Sequence, residues 1–156
     1  TITALRFKVA ENLQFVAIGP PYEIRTAEAR RVLPTEVPLS TVAWQTGRCV
    51  AMVHAFEAGD AALISSCAHD KVHEPYRARL IPDYEAFRSA ALAAGAAAFL
   101  ISGSGATTIA VCDGEDCAKS VADAISAMES VAEAEGGRRG VKVFRLHTSS
   151  VGTTLA

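Results

Sequence analysis

A short glycine-rich connection between two apolar runs restricts the fold of this chain more than any other feature. Residues 98–102 and 107–112 are short, largely apolar segments of the kind that form buried strands. The connection Gly103–Ala106 is too short for a crossover, so the two strands are predicted to pair as an antiparallel hairpin. Every other element has to be arranged around this hairpin.

Two further strands and several helices are predicted around the hairpin. The first strand covers 14–18 and stops at Gly19-Pro20-Pro21, and the last covers about 141–146. Helices are expected from Thr26 to about Arg31, from Ser40 or Thr41 to Gly59, from Asp60 to about Cys67, from Asp83 to Gly95, and from about 115 to 134. The proline-rich and charged segment Asp70–Pro82 is predicted to be an ordered loop.

Helical spacing indicates which faces are buried. The long second helix is predicted to bury Val42, Val50, Val53 and Phe56, although Gly47 weakens its middle. The last helix carries a stripe at i, i+4, i+7 and i+11, formed by Val121, Ile125, Met128 and Ala132.

The order of the elements, β-α(α)-β-β-α-β, defines the fold class. It is the split βαβ, ferredoxin-like arrangement of an α+β domain, with extra helices in the first crossover. The helices are expected to cover one face of an antiparallel sheet. The domain is predicted to span residues 14–148, between a leading segment 1–13 and a tail 149–156.

Composition narrows the classes of function. The net charge is −2, which argues against nucleic acid as a partner, and no apolar run approaches the roughly 20 residues that span a bilayer. The four cysteines form no Cys-x-x-Cys pair and suggest buried, reduced thiols, although the sequence alone also permits a disulfide. Cys67, His69 and His73 match no common metal spacing, so no metal site is predicted.

Three patches could carry chemistry, and each also has a purely structural interpretation. From the residues alone, 26–34, Thr-Ala-Glu-Ala-Arg-Arg-Val-Leu-Pro, are interpreted as a short surface helix with arginines near its C-terminal end, where cations are favoured. Residues 73–82 form either a proline-stiffened surface loop or a loop that presents fixed guanidinium groups, which suit carboxylate or phosphate. Residues 101–108 form either a plain hairpin turn or a backbone anion cradle.

Taken in order, these patches resemble the homoserine kinase branch of the GHMP small-molecule kinases. The resemblance runs from about Phe15 to Val143 and includes Gly47-Arg48 in the long helix. Its most specific parts are Thr26-Ala-Glu-Ala-Arg30, Glu74-Pro-Tyr-Arg77 and Ile101-Ser-Gly-Ser-Gly105, the last being similar to the third GHMP motif. The family usually has proline after that motif's second glycine, where this chain has Ala106.

The resemblance implies an activity and a set of binding residues. The family transfers the γ-phosphoryl group of ATP to the side-chain hydroxyl of L-homoserine, giving O-phospho-L-homoserine in threonine biosynthesis. Arg30 and Arg77 are then expected to bind the amino-acid substrate, while Gly103, Ser104 and Gly105 close over the site. The sequence contains nothing like the family's ATP loop.

The resemblance therefore also implies a missing half. ATP, Mg²⁺ and the catalytic residues are expected mainly on an N-terminal domain, from which residues 1–13 would lead into this one. The chain, which starts at Thr1, is expected to be a fragment that is inactive without that domain.

Other classes of function remain open at this stage. The chain could be a non-catalytic ferredoxin-like module that binds an amino acid and regulates a partner, or a structural dimerisation domain. For the kinase, the expected partners are L-homoserine, ATP, its own N-terminal domain and, in a homodimer, a second copy. The expected compartment is the cytoplasm, or the plastid stroma of a photosynthetic eukaryote.

Overall fold

Four strands pair into an antiparallel sheet in the computed structural model, which describes residues 7–130 and 140–149. The strands are β1 (Leu13–Gly19), β2 (Ala98–Ile101), β3 (Thr108–Asp113) and β4 (Lys142–Leu146). Their spatial order is β2-β3-β1-β4. This is the ferredoxin-like order, and it confirms the predicted fold class.

The hairpin that connects β2 and β3 has the expected register. Ile101 pairs with Thr108 at the turn, and Ala98 pairs with Val111 at the far end. Strand β1 lies in the middle and pairs antiparallel with both β3 and β4. Every pair of neighbouring strands in the sheet therefore runs antiparallel, as in the hairpin.

The helices fill the connections. Their bounds are α1 (Thr26–Arg31), α2 (Leu39–Ala58), α3 (Ala61–Cys67), α4 (Glu74–Arg77), α5 (Tyr84–Ala93) and α6 (Glu115–Ser126), with a 3₁₀ turn at Ala78–Leu80. The segment Asp70–Pro82, predicted to be a loop, is thus partly helical. Pro75 is compatible with this because it lies in the first turn of α4, where its missing N–H has no intrahelical partner.

One face of the sheet packs against α5 and α6. Val16 and Ile18 of β1 contribute to a buried cluster with Phe87 of α5 and Val121 and Ile125 of α6. The last two confirm the predicted stripe of the final helix. Burial of such side chains contributes roughly 1.5–3 kcal/mol each, so this cluster is the main source of stability.

The opposite face is also covered, which corrects the prediction of helices on one face only. Ala55 of α2 and Ile64 of α3 pack against Leu13, Ala98 and Val111 of the sheet. This second layer is smaller than the first. The helices of the first crossover therefore form a separate layer.

The predicted buried face of α2 is wrong at three of its four residues. Val42, Val50 and Val53 are exposed, whereas Phe56 packs against the smaller core, and the one fully buried residue of the helix is Ala55. A helix of 20 residues is about 30 Å long, whereas the seven-residue strand β1 spans about 23 Å. Only the C-terminal part of α2, around Ala55, packs against the sheet.

Some predicted helix ends also need correction. Helix α6 stops at Ser126 rather than near 134, because the chain turns away and Glu129 forms a bridge with Gly140. The remaining predicted helical positions, with Ala132, lie outside the described residues. Among the predicted caps, Asp60 accepts a hydrogen bond from the Leu63 N–H at 2.9 Å.

The other predicted caps do not act through their side chains. Helix α1 is capped by Arg25 and α2 by Pro38, both without a side-chain hydrogen bond, so neither Thr26 nor Ser40 nor Thr41 is a cap. Asp83 stands at the start of α5, but its carboxylate serves other partners.

Two glycines of α2 offer a paired test of this fold. Gly59 ends the helix with φ +68°, and a Cβ atom there would overlap Asn12 Oδ1 and lie 2.9 Å from the Ala10 Cβ. Gly47 lies in mid-helix with no atom within 4 Å of a Cβ. We expect Gly59→Ala to lower the free energy of unfolding by at least about 1 kcal/mol. Gly47→Ala should raise it by about 0.5–1 kcal/mol.

Urea denaturation measures both changes under the same conditions. Equal losses in the two variants would contradict the assignment of Gly59 as a left-handed helix cap.

Candidate functional site

Arg77 joins the three patches singled out from the sequence. Its Nε donates to the carbonyl oxygen of Ala29 at 3.2 Å, and its Nη1 donates to the carbonyl oxygen of Gly103 at 2.9 Å. One half-buried side chain thus links α1, α4 and the glycine-rich turn. Segments that are 48 and 26 residues away along the chain meet at a single guanidinium.

The position of Arg77 depends on the start of α4, which Asp70 organises. The Asp70 Oδ1 accepts from the His73 N–H at 3.0 Å and its Oδ2 from the Glu74 N–H at 3.4 Å. The His73 Nδ1 also contacts the Asp70 carboxylate. Sequence reasoning missed this role, although an aspartate shortly before a proline-containing first turn is a capping signal.

The guanidinium of Arg77 keeps binding capacity beyond these two bonds. Arginine has five N–H donors, and both acceptors used here are neutral carbonyls. Within residues 7–130 and 140–149, Arg77 forms no ion pair with a carboxylate. Its positive charge is therefore not neutralised by a carboxylate in these ranges. Its remaining N–H groups can donate hydrogen bonds to an anion.

Arg30 lies directly after Ala29, the residue whose carbonyl accepts from Arg77. Its side chain is exposed and forms no hydrogen bond or ion pair to another residue in the described ranges. The structure thus brings the backbone of α1 to Arg77 and leaves the Arg30 side chain in solvent. Its role as a binding residue stays a prediction.

The glycine-rich turn requires both of its glycines. Gly103 and Gly105 have φ of +63° and +87°, in the left-handed region that disfavours other residues. A Cβ on Gly105 would lie 3.2 Å from the Ile81 Cδ1, whereas one on Gly103 would meet open space. The turn is therefore packed at Gly105 and open at Gly103.

The open part of the turn offers backbone donors. Among the described residues, the N–H groups of Gly103 and Ser104 donate to no backbone acceptor, whereas the Gly105 N–H donates to the Ser102 carbonyl at 3.2 Å. The Ser104 hydroxyl donates to the Gly105 carbonyl at 3.4 Å. Successive free N–H groups beside a cation suit an anionic ligand.

A second polar cluster anchors the chain that leads into α1. Asp83 is 1% exposed, and its Oδ2 accepts from the Tyr22 hydroxyl at 3.0 Å and the Ser130 hydroxyl at 2.6 Å. Burial raises the pKa of Tyr22 well above the value of a free tyrosine, so the phenol stays a donor. This cluster connects the segment before α1 to the start of α5.

A cavity of about 560 Å³ lies beside the Arg77 site rather than on it. Its walls include Glu74, Arg79, Tyr84 and Arg88, but not Arg77, Arg30 or the glycine-rich turn. Burial is the main cause that raises the pKa of the Glu74 carboxyl. The cavity and the Arg77 site share the α4 segment, and Ile81 of the cavity wall also lies against Gly105 of the turn.

The family of the chain follows from comparison with known proteins. Residues 52–130, about half of the chain, match the family described as GHMP kinases C terminal. The chain belongs to the GHMP kinase family, and it corresponds to the C-terminal part of those proteins. This confirms the resemblance seen in the sequence motifs.

Its relatives are named homoserine kinases. The protein from Arabidopsis thaliana is 42% identical over 113 residues, which are 72% of this chain and 30% of the plant protein. The protein from Trichormus variabilis is 38% identical over 122 residues, 78% of this chain and 39% of that protein.

Structural comparison gives the same result. The crystal structure of homoserine kinase from Cytophaga hutchinsonii matches with a TM-score of 0.80 and 30% identity, over 92% of this chain and 44% of that one. The chain thus spans less than half the length of these three relatives.

Tyr22 follows β1 and Ser130 follows α6, and both hydroxyls donate to Asp83. Removing one of these hydroxyls tests the cluster. We expect Tyr22→Phe to lower the free energy of unfolding by about 1–3 kcal/mol, because the buried carboxylate loses a donor. Tyr76→Phe is the control, since the Tyr76 hydroxyl donates to no other residue within the described ranges. It should change stability by less than about 0.5 kcal/mol.

Urea denaturation of both variants provides the comparison. Two equal and small changes would show that Tyr22 contributes no more than a surface phenol.

Proposed function

We propose that this chain is the substrate-binding half of a homoserine kinase. That enzyme phosphorylates the side-chain hydroxyl of L-homoserine with ATP and forms O-phospho-L-homoserine, a step of threonine biosynthesis. The observation that carries the proposal is the guanidinium of Arg77, which the backbone of α1 and of the glycine-rich turn holds in place. The names of the relatives support the choice of substrate.

In this proposal Arg77 binds the carboxylate of homoserine. Two of its N–H groups are fixed on the carbonyls of Ala29 and Gly103, so the planar fork has little freedom left. A fixed fork loses less conformational entropy on binding than a free side chain. Arg30, next to Ala29 on exposed α1, supplies a second cation to the same substrate.

The glycine-rich turn closes the other side of the proposed site. The open N–H groups of Gly103 and Ser104 face no acceptor of the described backbone and can receive a negatively charged oxygen. Gly105 packs against Ile81 and keeps the turn in position.

Catalysis in this proposal depends mainly on positioning. Phosphoryl transfer needs the attacking hydroxyl aligned with the γ-phosphate, and electrostatic stabilisation of the transferring group. This chain aligns the amino acid through Arg77 and Arg30. ATP, Mg²⁺ and the catalytic groups are assigned mainly to an N-terminal domain, from which residues 1–13 would lead into this one.

The location and assembly of the enzyme follow as parts of the same proposal. We assign it to the cytoplasm, or to the plastid stroma if the source is a photosynthetic eukaryote. Among the described residues, no helix is both long and apolar enough to cross a bilayer. A homodimer stays a prediction.

The full-length protein, with this chain joined to its N-terminal domain, provides the test. With ATP and L-homoserine we expect O-phospho-L-homoserine as the product. The alternative, a non-catalytic module that binds an amino acid and regulates a partner, predicts binding of homoserine without turnover. Mass spectrometry of the product separates the two.

Arg77→Ala in that enzyme tests the binding role. We expect kcat/KM for homoserine to fall by about 30-fold or more, because truncating one partner of a buried charge pair costs roughly 2–5 kcal/mol. The KM for ATP should change much less. Arg77→Lys should also impair homoserine binding, since lysine keeps the charge but loses the fork.

Arg79→Ala is the matched control, because Arg79 is exposed and lies two positions further along the chain. Unchanged homoserine kinetics in a folded Arg77→Lys enzyme would leave Arg77 with a purely structural role. Arg30→Ala, compared with the exposed neighbour Arg31→Ala, tests the second arginine in the same assay.

A further inference from the structure

A second cavity, of about 290 Å³, lies between α2 and the segment that follows α3. Its walls come from Arg48 and Met52 of α2, from His69 and His73, and from Leu100 of β2. None of the residues assigned to homoserine lines it. Its size is at the small end of the range for ligand pockets, which suits a molecule no larger than an amino acid.

Arg48 is the unusual member of this cavity. Its Nε has less than 1 Å² of accessible surface and no hydrogen-bond partner in the described chain. A buried donor without a partner costs about 1–3 kcal/mol, and more when it carries charge. The guanidinium instead lies 3.6 Å from the centre of the Trp44 ring.

A second cation approaches the same ring. The Lys71 Nζ lies 4.3 Å from the centre of the Trp44 indole. In residues 7–130 and 140–149, neither Arg48 nor Lys71 forms an ion pair. The nearby carboxylate of Asp70 is occupied by His73 and by backbone N–H groups. Asp70 lines the cavity and Lys71 does not, so Arg48 is the lining guanidinium, and it has no carboxylate partner among the described residues.

Part of the cavity wall is apolar. Met52 and Leu100 line it, and both also pack against the smaller core of the domain. A ligand that matches the whole lining needs an anionic group for Arg48 and a short hydrocarbon body. A carboxylate matches the planar guanidinium fork, and a volume of about 290 Å³ suits a small ligand.

We propose that this cavity is a binding site for a small aliphatic carboxylate, held by Arg48 and separate from the Arg77 site. The carboxylate accepts from the Arg48 guanidinium, and the hydrocarbon body lies against Met52 and Leu100. The inference uses neither ATP nor phosphoryl transfer. The binding test described below can therefore support or contradict it whether or not the kinase proposal is correct.

Trp44 provides a specific reporter, because it is the only tryptophan of the 156-residue chain. We expect 3-methylbutanoate to change its fluorescence saturably, with half-saturation on the order of 1 mM. Sodium chloride at equal ionic strength and the neutral 3-methylbutan-1-ol should give no saturable change. A linear response equal to that of chloride would overturn the proposal.

Variants assign the binding to the cavity. Arg48→Gln should raise the half-saturation concentration at least about tenfold, which corresponds to about 1.4 kcal/mol. Arg48→Lys should also weaken binding, because it lacks the fork. Arg88→Gln, which makes the same charge change at the other cavity, should bind like the original chain.

A second measurement guards against effects of Arg48 on Trp44 itself. The carboxylate should raise the Tm of the original chain and of Arg88→Gln, but not that of Arg48→Gln. Cys49→Phe changes an exposed residue in the cavity wall and should block binding while Arg48 remains. Undiminished binding by both Arg48→Gln and Cys49→Phe, or binding of inorganic phosphate in place of the carboxylate, would contradict the assignment.

Discussion

The hydrogen bonds of Arg77 to two backbone carbonyls are the interaction on which the candidate site depends. Its Nε and Nη1 donate to the carbonyls of Ala29 in α1 and Gly103 in the glycine-rich turn. Among the described residues, these are the only hydrogen bonds that tie α1 or the turn to a distant segment. A six-residue helix is too short to be stable in isolation, so α1 needs such external partners. The carbonyl of Ala29 lies near the C-terminal end of α1, where cationic donors are favourable.

The sheet gives this interaction a rigid base. Strands β2 and β3 set the position of the glycine-rich turn, because Ile101 pairs with Thr108 and the Ser102 N–H donates to the Thr107 carbonyl at 3.0 Å. Gly105 then packs on Ile81, which is 2% exposed and lies just after the α4 segment. Ile81 thus connects the glycine-rich turn to the segment that carries Arg77. A displacement of either would disturb the other.

The sequence predicted the parts of the fold that depend on local patterns. The hairpin, the ends of β1 and the αL glycine at position 59 follow from apolar runs and from glycine, and the structure confirms them. The burial of α2 could not be read from its spacing. Val42, Val50 and Val53 fit an apolar face, but which face meets the sheet depends on long-range packing. Periodicity shows which residues share a face of the helix, but it does not show whether that face meets the sheet.

The candidate site shows the same division. The motifs around Arg30, Arg77 and Gly103 indicated segments that contact one another in the structure, but the contact from Arg77 to Ala29 joins residues 48 positions apart. Asp83 appeared to be a helix cap, and its burial with Tyr22 and Ser130 was not foreseen. A local pattern indicates which residue can cap a helix. It does not indicate which hydroxyl groups from distant segments will donate to that carboxylate in the folded chain.

Arg77 and Arg48 each contact neutral groups and have no carboxylate partner among the described residues. Carbonyl oxygens hold Arg77, and the guanidinium of Arg48 lies against the face of the Trp44 ring. A carboxylate partner would neutralise the guanidinium and compete directly with an anionic ligand. Carbonyl oxygens and an aromatic ring orient the side chain but leave its full positive charge in place. Both arrangements therefore leave a cation available, which is the property on which the two proposed binding sites rest.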